Sequence, residues 1–365
     1  MQVVEVVSTL HRVQRARPIR NGRYTYYASG TVVTRVRTDD GVEGIGWAGG
    51  QPGPDRVVYE AAKALGEMAV GLDVFDVEQL WERMFQPKIY GRRGLTTRAM
   101  ASIDIAMWDA IGKTVGVPLY KLLGGYRDRV PAYLAGGYYL EGKGLDELAQ
   151  EMRDKVAAGA RYVKMKVGGA PLSEDVERVR VVREAIGPDI HLMVDANNAY
   201  SVLEAIRFAR RVEKYEPFWF EEPVHAEDYA GLAEVKRNTV IPIATGENEY
   251  TRYGFRDLIA CGGADILQAD ANVLGGVTEY KHIASMASAY GLPMAPHGSA
   301  LLHVHLVASI SNGLIVEHVL TEGDRRRGMF KTRLTLDQEG MISPPDGPGL
   351  GLEVDEDFLK EHQIA

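Results

Sequence analysis

Asp195, Glu221 and Glu247 stand at equal intervals of 26 residues, each closing a short apolar run. If those runs are neighbouring parallel strands, three carboxylates share one arc and each raises the pKa of the others. A hard divalent cation resolves that repulsion. Oxygen-only ligands, with no Cys or His among them, favour Mg²⁺ over Zn²⁺, and Mn²⁺ could substitute. Any one of the three alone reads as a helix cap or an ion pair; the regular trio reads as a metal site. Glu222 competes with Glu221, but alternation along Trp219, Glu221 and Pro223 sends the two side chains to opposite faces.

Lys164 and Lys166 are two apart on a predicted strand and face the same side. Close like charges favour the neutral amine in one of them, which is how a lysine becomes a base near pH 7. Asp270 and His297 end adjoining runs, so the carboxylate can hold the imidazole in one tautomer and stabilise its protonated form. Glu317 is either an acid that hydrogen-bonds a substrate carboxylate or a structural partner of Lys164, and the former is preferred. His303, His305 and His318 read as satisfied core histidines.

The elements that must position these groups begin at Val130. Apolar runs recur at Val130 to Gly137, Tyr162 to Val167, His191 to Asn197, Phe218 to Pro223, Ile241 to Glu247, Asp265 to Asp270, Leu292 to His297 and Gly313 to His318. Each is followed by a stretch long enough for a helix, and Leu145 to Ala158, Ser173 to Ile186 and Ser201 to Tyr215 carry helical apolar spacing. Eight such units predict an α/β chain with a (β/α)₈-type barrel, whose active site lies at the carboxyl ends of the strands. Ahead of it, Thr31 to Val36 and Val42 to Trp47 read as antiparallel strands joined at Asp39-Asp40-Gly41. From Asp55 to Gly116 the spacing turns helical, with a stripe of Ala99, Ile103, Ala106, Met107 and Ile111. The predicted organisation is an α+β domain over residues 1–125, the barrel over 126–340, and a Pro- and Gly-rich segment, 341–365, returning to the first domain.

The balance of 42 basic and 50 acidic residues, a formal charge of -8, argues against nucleic acid as a partner. The run Arg325-Arg326-Arg327 reads as a solvated loop. Cys261 is the only cysteine, so no disulfide can form within the chain. It reads as a packing residue in a reducing cytoplasm. Met1 to Leu10 has no secretory pattern, and no apolar stretch is long enough to span a membrane.

With these residues in place, the chain resembles the mandelate racemase subgroup of the enolase superfamily over essentially its whole length. The resemblance rests on Lys164-Met165-Lys166, on Asp195-Ala196-Asn197, on Phe220-Glu221-Glu222-Pro223, and on Glu247, Asp270, His297 and Glu317. It implies a modified barrel of the (β/α)₇β type under an α+β capping domain, with one Mg²⁺ on Asp195, Glu221 and Glu247. It implies Lys166 and His297 as bases on opposite faces of a substrate carbon. Lys164 would bind the substrate carboxylate, assisted by Glu317 and Asn197, while the proton beside that carboxylate is removed to give an enediolate. Specificity would come from capping segments near residues 17–27 and 48–56. The partner is a small-molecule carboxylate, and a homo-oligomer is expected.

The first of those segments runs from Arg17 through Arg20, Asn21, Arg23 and Tyr24 to Tyr27 and is rich in hydrogen-bond donors. That favours a polyhydroxy acid, so Arg20 and Tyr24 are candidate substrate contacts, with Tyr138, Tyr139, Tyr90, Arg92 and Arg93 as further polar groups. The preferred activity is an acid-sugar dehydratase giving a 2-keto-3-deoxy acid. The alternatives are racemisation or epimerisation of a 2-hydroxy acid and, more remotely, a non-catalytic binding protein on the same fold.

Overall fold

The computed structural model describes residues 1–318 and 328–365; the Arg325-Arg326-Arg327 run lies outside the described residues. The chain opens with three antiparallel strands, β1 (Val3–Arg20), β2 (Thr25–Thr38) and β3 (Glu43–Gly50), in that order across the sheet. The β-branched run and the turn at 39–41 fall as predicted. One face of this sheet packs on a long helix, Leu95–Val115, so closely that side chains are excluded at the contact. A Cβ on Gly44 would lie 2.0 Å from Ala106 O, and one on Gly46 2.1 Å from Ser102 O. Glycine at both positions is what lets sheet and helix approach.

The barrel strands are β4 (Val130–Gly136), β5 (Tyr162–Lys166), β6 (His191–Asp195), β7 (Trp219–Glu221), β8 (Ile243–Thr245), β9 (Ile266–Leu267) and β10 (Val316–His318). They are parallel and ordered β10-β4-β5-β6-β7-β8-β9. Seven of the eight predicted runs thus become strands. The remaining one, Leu292 to His297, contributes only Met294, which bridges Leu267 on one side and Gly313 on the other and so closes the ring. Pro293 and Pro296 flank Met294 and have no N–H to offer a ladder, which is why the strand is reduced to one bridging residue. Tyr133, Met193, Trp219, Ile266 and Ile315 fill the interior, with Trp219 edge-on to Tyr133 at 5.3 Å. This plug supports the residues above it. The result is a modified TIM-type barrel with a capping domain. Among the described residues no helix is long and apolar enough to cross a membrane.

The final segment first adds β11 (Met341–Ile342) antiparallel to β4 and then reaches the cap. Where cap, barrel and tail meet, buried polar groups are closed off by fixed donors. Asp104 accepts from Thr278 N at 3.0 Å and from the Thr278 hydroxyl, which in turn accepts from Trp108 Nε1 at 2.8 Å. Asp109 accepts from Ile45 N at 2.8 Å, Leu350 N at 2.7 Å and Lys113 Nζ at 2.7 Å. His305 accepts from Tyr120 N at 3.3 Å through Nδ1 and donates through Nε2 to Leu350 O at 3.1 Å. Burial pushes the Asp104 carboxyl up to about 7 and the His305 imidazole down to about 4. Cys261 departs from the sequence reading: it is exposed, at the end of the helix Thr251–Ala260.

Candidate active site

The carboxyl ends of the barrel strands gather the predicted residues into one place. Lys164 and Lys166 leave β5 on the same side, and Lys166, Asp195 and Glu221 are register partners across β5, β6 and β7. Glu247 follows β8, Asp270 follows β9, His297 follows the Met294 bridge, and Glu317 sits in β10. Above them the cap completes a cavity of about 940 Å³, whose walls include Lys166, Asn197, Glu247, Asp270, His297 and Glu317. Lys164 lies beneath, fully buried, with Nζ 5.0 Å from the centre of the Tyr133 ring.

The five carboxylates follow one rule. Each has one oxygen fixed by a neutral donor and turns the other toward a cationic group of the mouth. Asp195 Oδ1 accepts from Asn197 N at 2.9 Å, while Oδ2 meets Lys166 and, at 3.5 Å, Lys164. Glu221 Oε2 accepts from Trp219 Nε1 at 3.0 Å, and Oε1 meets Lys164 at 2.7 Å. Glu317 Oε2 accepts from Gly298 N at 2.8 Å, with Oε1 3.4 Å from Lys164. Asp270 Oδ1 accepts from Asn272 N at 2.9 Å, and Oδ2 accepts from His297 Nδ1 at 3.0 Å. Glu247 Oε1 accepts weakly from Asn197 Nδ2 at 3.4 Å; its Oε2 is buried without a hydrogen bond, 3.6 Å from His297 Nε2.

Burial opposes charge throughout, and the neighbours decide the outcome. For Asp195 burial is outweighed by Lys166 and Lys164, which hold it at about 2; for Glu317 it is outweighed by Lys164 and His297, again to about 2. Glu221 goes the other way, to about 8, because burial and Asp195 together exceed Lys164. His297 rises to about 9, since Glu247 and the Asp270 hydrogen bond overcome its burial. The sequence reading of a neutral lysine is corrected here. Burial lowers both amines, yet Glu221 and Glu317 lift Lys164, and Asp195 lifts Lys166, above the ordinary lysine value. Mutual repulsion loses because each amine touches an acid.

The donor set of Asp195, Glu221 and Glu247 suits a hard divalent cation: it is all oxygen, on adjacent strands, with one buried oxygen lacking a hydrogen bond. Among the described residues no three Asp, Glu, His or Cys side chains are already arranged around an ion position. Glu222, the rival of Glu221, is differently placed. It lies past the end of β7 with φ 41°, and its carboxylate is taken by Asn198 Nδ2 at 2.7 Å and Asn248 Nδ2 at 2.8 Å.

The capping residues divide. Asn21, Arg23, Tyr24 and Tyr26 line the cavity, as do Gly49, Gly50 and Gln51 of the second segment. Arg20 does not: it ends β1, donates to Gly169 O at 3.2 Å and lies 5.0 Å over the Tyr139 ring, bracing the hairpin against the barrel. Tyr138 lines the cavity, its ring 5.2 Å from Lys166 Nζ. Tyr139 is instead buried and bonded to Asp175. Arg93 is committed to Tyr229 and Glu249, and neither Tyr90 nor Arg92 reaches the wall. His303 and His305 lie buried in the helix Ala300–Ser309 and His318 ends β10. His303 does more than fill the core, since Nε2 accepts from Ala271 N at 3.0 Å and lies 3.4 Å from Asp270 Oδ1.

Arg98, Tyr250 and Asn272 line the cavity and were missed by the sequence reading. Arg178 was missed too; it donates to Gly137 O at 2.8 Å and Lys166 O at 3.3 Å, holding the β4 and β5 ends together. Its signal is a charged residue within the inner stripe of Asp175, Val179, Val182 and Ile186.

Comparison with known proteins agrees with this architecture. Residues 3–124 match the mandelate racemase/muconate lactonizing enzyme N-terminal domain, and residues 147–358 match the enolase C-terminal domain-like family. The chain is 35% identical to arabinonate dehydratase of Saccharolobus solfataricus, over 91% of its own length and 90% of the relative's. It is 32% identical to D-galactarolactone cycloisomerase of Agrobacterium fabrum over 100% and 99% of the two chains. The crystal structure of L-talarate/galactarate dehydratase from Salmonella typhimurium LT2, liganded with Mg and L-lyxarohydroxamate, superposes with a TM-score of 0.93 at 30% identity, covering 100% of this chain and 93% of that one. These relatives bear the names of lyases and isomerases, and with both of its parts matched the chain belongs to the mandelate racemase/muconate lactonizing enzyme family of the enolase superfamily.

Proposed function

We propose that the chain is a Mg²⁺-dependent dehydratase of acid sugars, removing the proton beside a carboxylate and then the β-hydroxyl to give a 2-keto-3-deoxy acid. The observation that carries this reading is the common arrangement of the mouth carboxylates, one oxygen anchored and the other presented beside two lysines and a histidine. Asp195, Glu221 and Glu247 would hold the cation, which supplies positive charge to the substrate carboxylate as charge develops on its oxygens. Lys164 binds the same carboxylate from below, and Glu317 and Asn197 orient it. Lys166 takes the α-proton on one face once Asp195 is engaged elsewhere and no longer holds the amine protonated. His297, hydrogen-bonded through Nδ1 to Asp270, delivers a proton to the departing β-hydroxyl, and water leaves. The enol that remains tautomerises to the keto acid.

Dehydration is preferred over racemisation because the departing hydroxyl needs a proton, and His297, held through Nδ1 by Asp270, can supply it. The dehydratase, arabinonate and talarate/galactarate names among the relatives support the same choice. The test is a screen of purified protein with Mg²⁺ against aldonic and aldaric acids, reading 2-keto acid formation, with polarimetry for racemisation. At least one sugar acid is expected to give the keto product, with mandelate turned over poorly or not at all. Efficient racemisation of mandelate with no dehydration anywhere in the library would overturn the proposal.

A further inference from the structure

Arg98 stands in the first turn of the helix Leu95–Val115 and forms part of the cap's wall of the cavity. Of the cavity's arginines, Arg23 is tied to the barrel by a 3.0 Å bond to Asn198 O, and others outside the cavity are spent on acids. Arg93 is paired with Glu249 and Glu227, Arg252 with Glu279, and Arg12 with Asp55. Arg98 has only neutral contacts, and at long range: Nε donates to Tyr250 Oη at 3.3 Å, Nη1 donates to Gly49 O at 3.4 Å, and Cζ lies 5.8 Å from the Tyr250 ring centre. Among the described residues it has no carboxylate partner. A guanidinium offers five donors in a planar fork that matches a carboxylate with two parallel bonds, and facing a cavity its charge is left to whatever enters.

The substrate's reacting carboxylate is already provided for at the floor of the mouth by Lys164. A cation on the cap's wall of the cavity has no charge to pair with in a monoacid whose far end is a hydroxymethyl group. We propose that Arg98 binds a second carboxylate, so that the preferred substrate is a diacid sugar, an aldarate, rather than an aldonate. This deepens the dehydratase reading and rests on it for the substrate's sugar character, while the binding claim stands apart from turnover. Asn21, Tyr24, Gln51 and Asn272 line the cavity as well and are placed to meet hydroxyls along the chain between the two carboxylates.

The experiment compares matched acids that differ only at the far end, galactarate with galactonate and glucarate with gluconate. Both kcat/KM and calorimetric affinity are measured with Mg²⁺ for the wild type, Arg98→Gln and Arg98→Lys, with affinities for turned-over acids taken in a Lys166→Ala background. The wild type is expected to prefer the better diacid by at least about tenfold, the discrimination a charge-assisted pair provides. Arg98→Gln should remove that preference by weakening the diacid at least about tenfold more than the monoacid, and Arg98→Lys should restore part of it. Equal or better binding of monoacids, a loss in Arg98→Gln that is the same for both members of a pair, or no binding of any of the four acids would each overturn the proposal. If the diacid preference depends on Arg98 but no keto acid forms, the dehydratase reading fails and this inference stands. If aldonates are dehydrated with no diacid preference, the dehydratase reading stands and this inference fails.

Discussion

Two regions of this molecule bury charge, and they do it differently. At the junction of cap, barrel and tail, Asp104 and Asp109 have both oxygens closed by backbone amides, a hydroxyl or a neighbouring lysine, and His305 has both ring nitrogens used. At the barrel mouth, Asp195, Glu221, Glu317 and Asp270 each keep one oxygen on a neutral donor and lend the other to a cationic side chain, and Glu247 leaves one with no hydrogen bond at all. A backbone donor cannot leave without unfolding something. A lysine or histidine can exchange its partner for a ligand. Saturation by fixed donors marks structure, and half-saturation by movable charges marks a binding site.

The comparison breaks most visibly in turnover. Lys166→Ala and His297→Ala should each lower the rate on an accepted acid sugar by about 10² to 10⁴. In D₂O, His297→Ala should still exchange the α-proton through Lys166, whereas Lys166→Ala should lose most of that exchange. Full turnover by both variants on every accepted substrate would show that these movable charges are not the working ones. At the junction the loss should appear in stability. Asp109→Ala orphans the buried amides of Ile45 and Leu350, at about 4 kcal/mol for the two, read as a lower urea midpoint. If Asp109→Ala unfolds at the same midpoint as the wild type, saturation does not mark structure here.

The next effect sharpens the comparison through pH. His305 has a folded pKa of about 4 against an ordinary value of 6.5, so it is neutral in the folded state while the unfolded chain takes up a proton first. Its contribution is complete above pH 6.5 and is lost as pH falls from there toward 4. By linkage the loss amounts to about 3 kcal/mol. His305→Gln should remove this portion of the acid dependence, at the expense of stability at neutral pH. Parallel stability curves for the two proteins between pH 7 and 4 would contradict the assignment.

Much of this contrast was legible in the sequence. Strand-end positions follow from the spacing of apolar runs, and charge at a buried strand end demands a partner, so the mouth residues could be named in advance. What escaped has physical causes. The strand at Leu292 to His297 collapsed to the Met294 bridge because its prolines remove ladder donors, and apolar spacing does not register a missing N–H. Arg20 belongs to a strand rather than a loop, and alternation turns it away from the cavity that Ile19 and Asn21 line. The lysine charges were misjudged because spacing along one strand shows Lys164 beside Lys166 but not Asp195 and Glu221 across the ladder. Arg98 was hidden by sitting one residue ahead of the apolar stripe that defined its helix, where it read as the polar start of an element.

The central claim, that half-saturated carboxylates are a site while saturated ones are a frame, is tested most directly by calorimetric titration of Mg²⁺ into the wild type, Glu221→Gln and Asp109→Asn. The account predicts one Mg²⁺ per chain for the wild type. In Glu221→Gln, binding should fall below detection while the metal-free protein stays folded, because burial and Asp195 already hold Glu221 largely neutral and Gln keeps an oxygen for Lys164. In Asp109→Asn, Mg²⁺ affinity should be retained and the melting temperature should drop. Undiminished Mg²⁺ affinity in Glu221→Gln would contradict it.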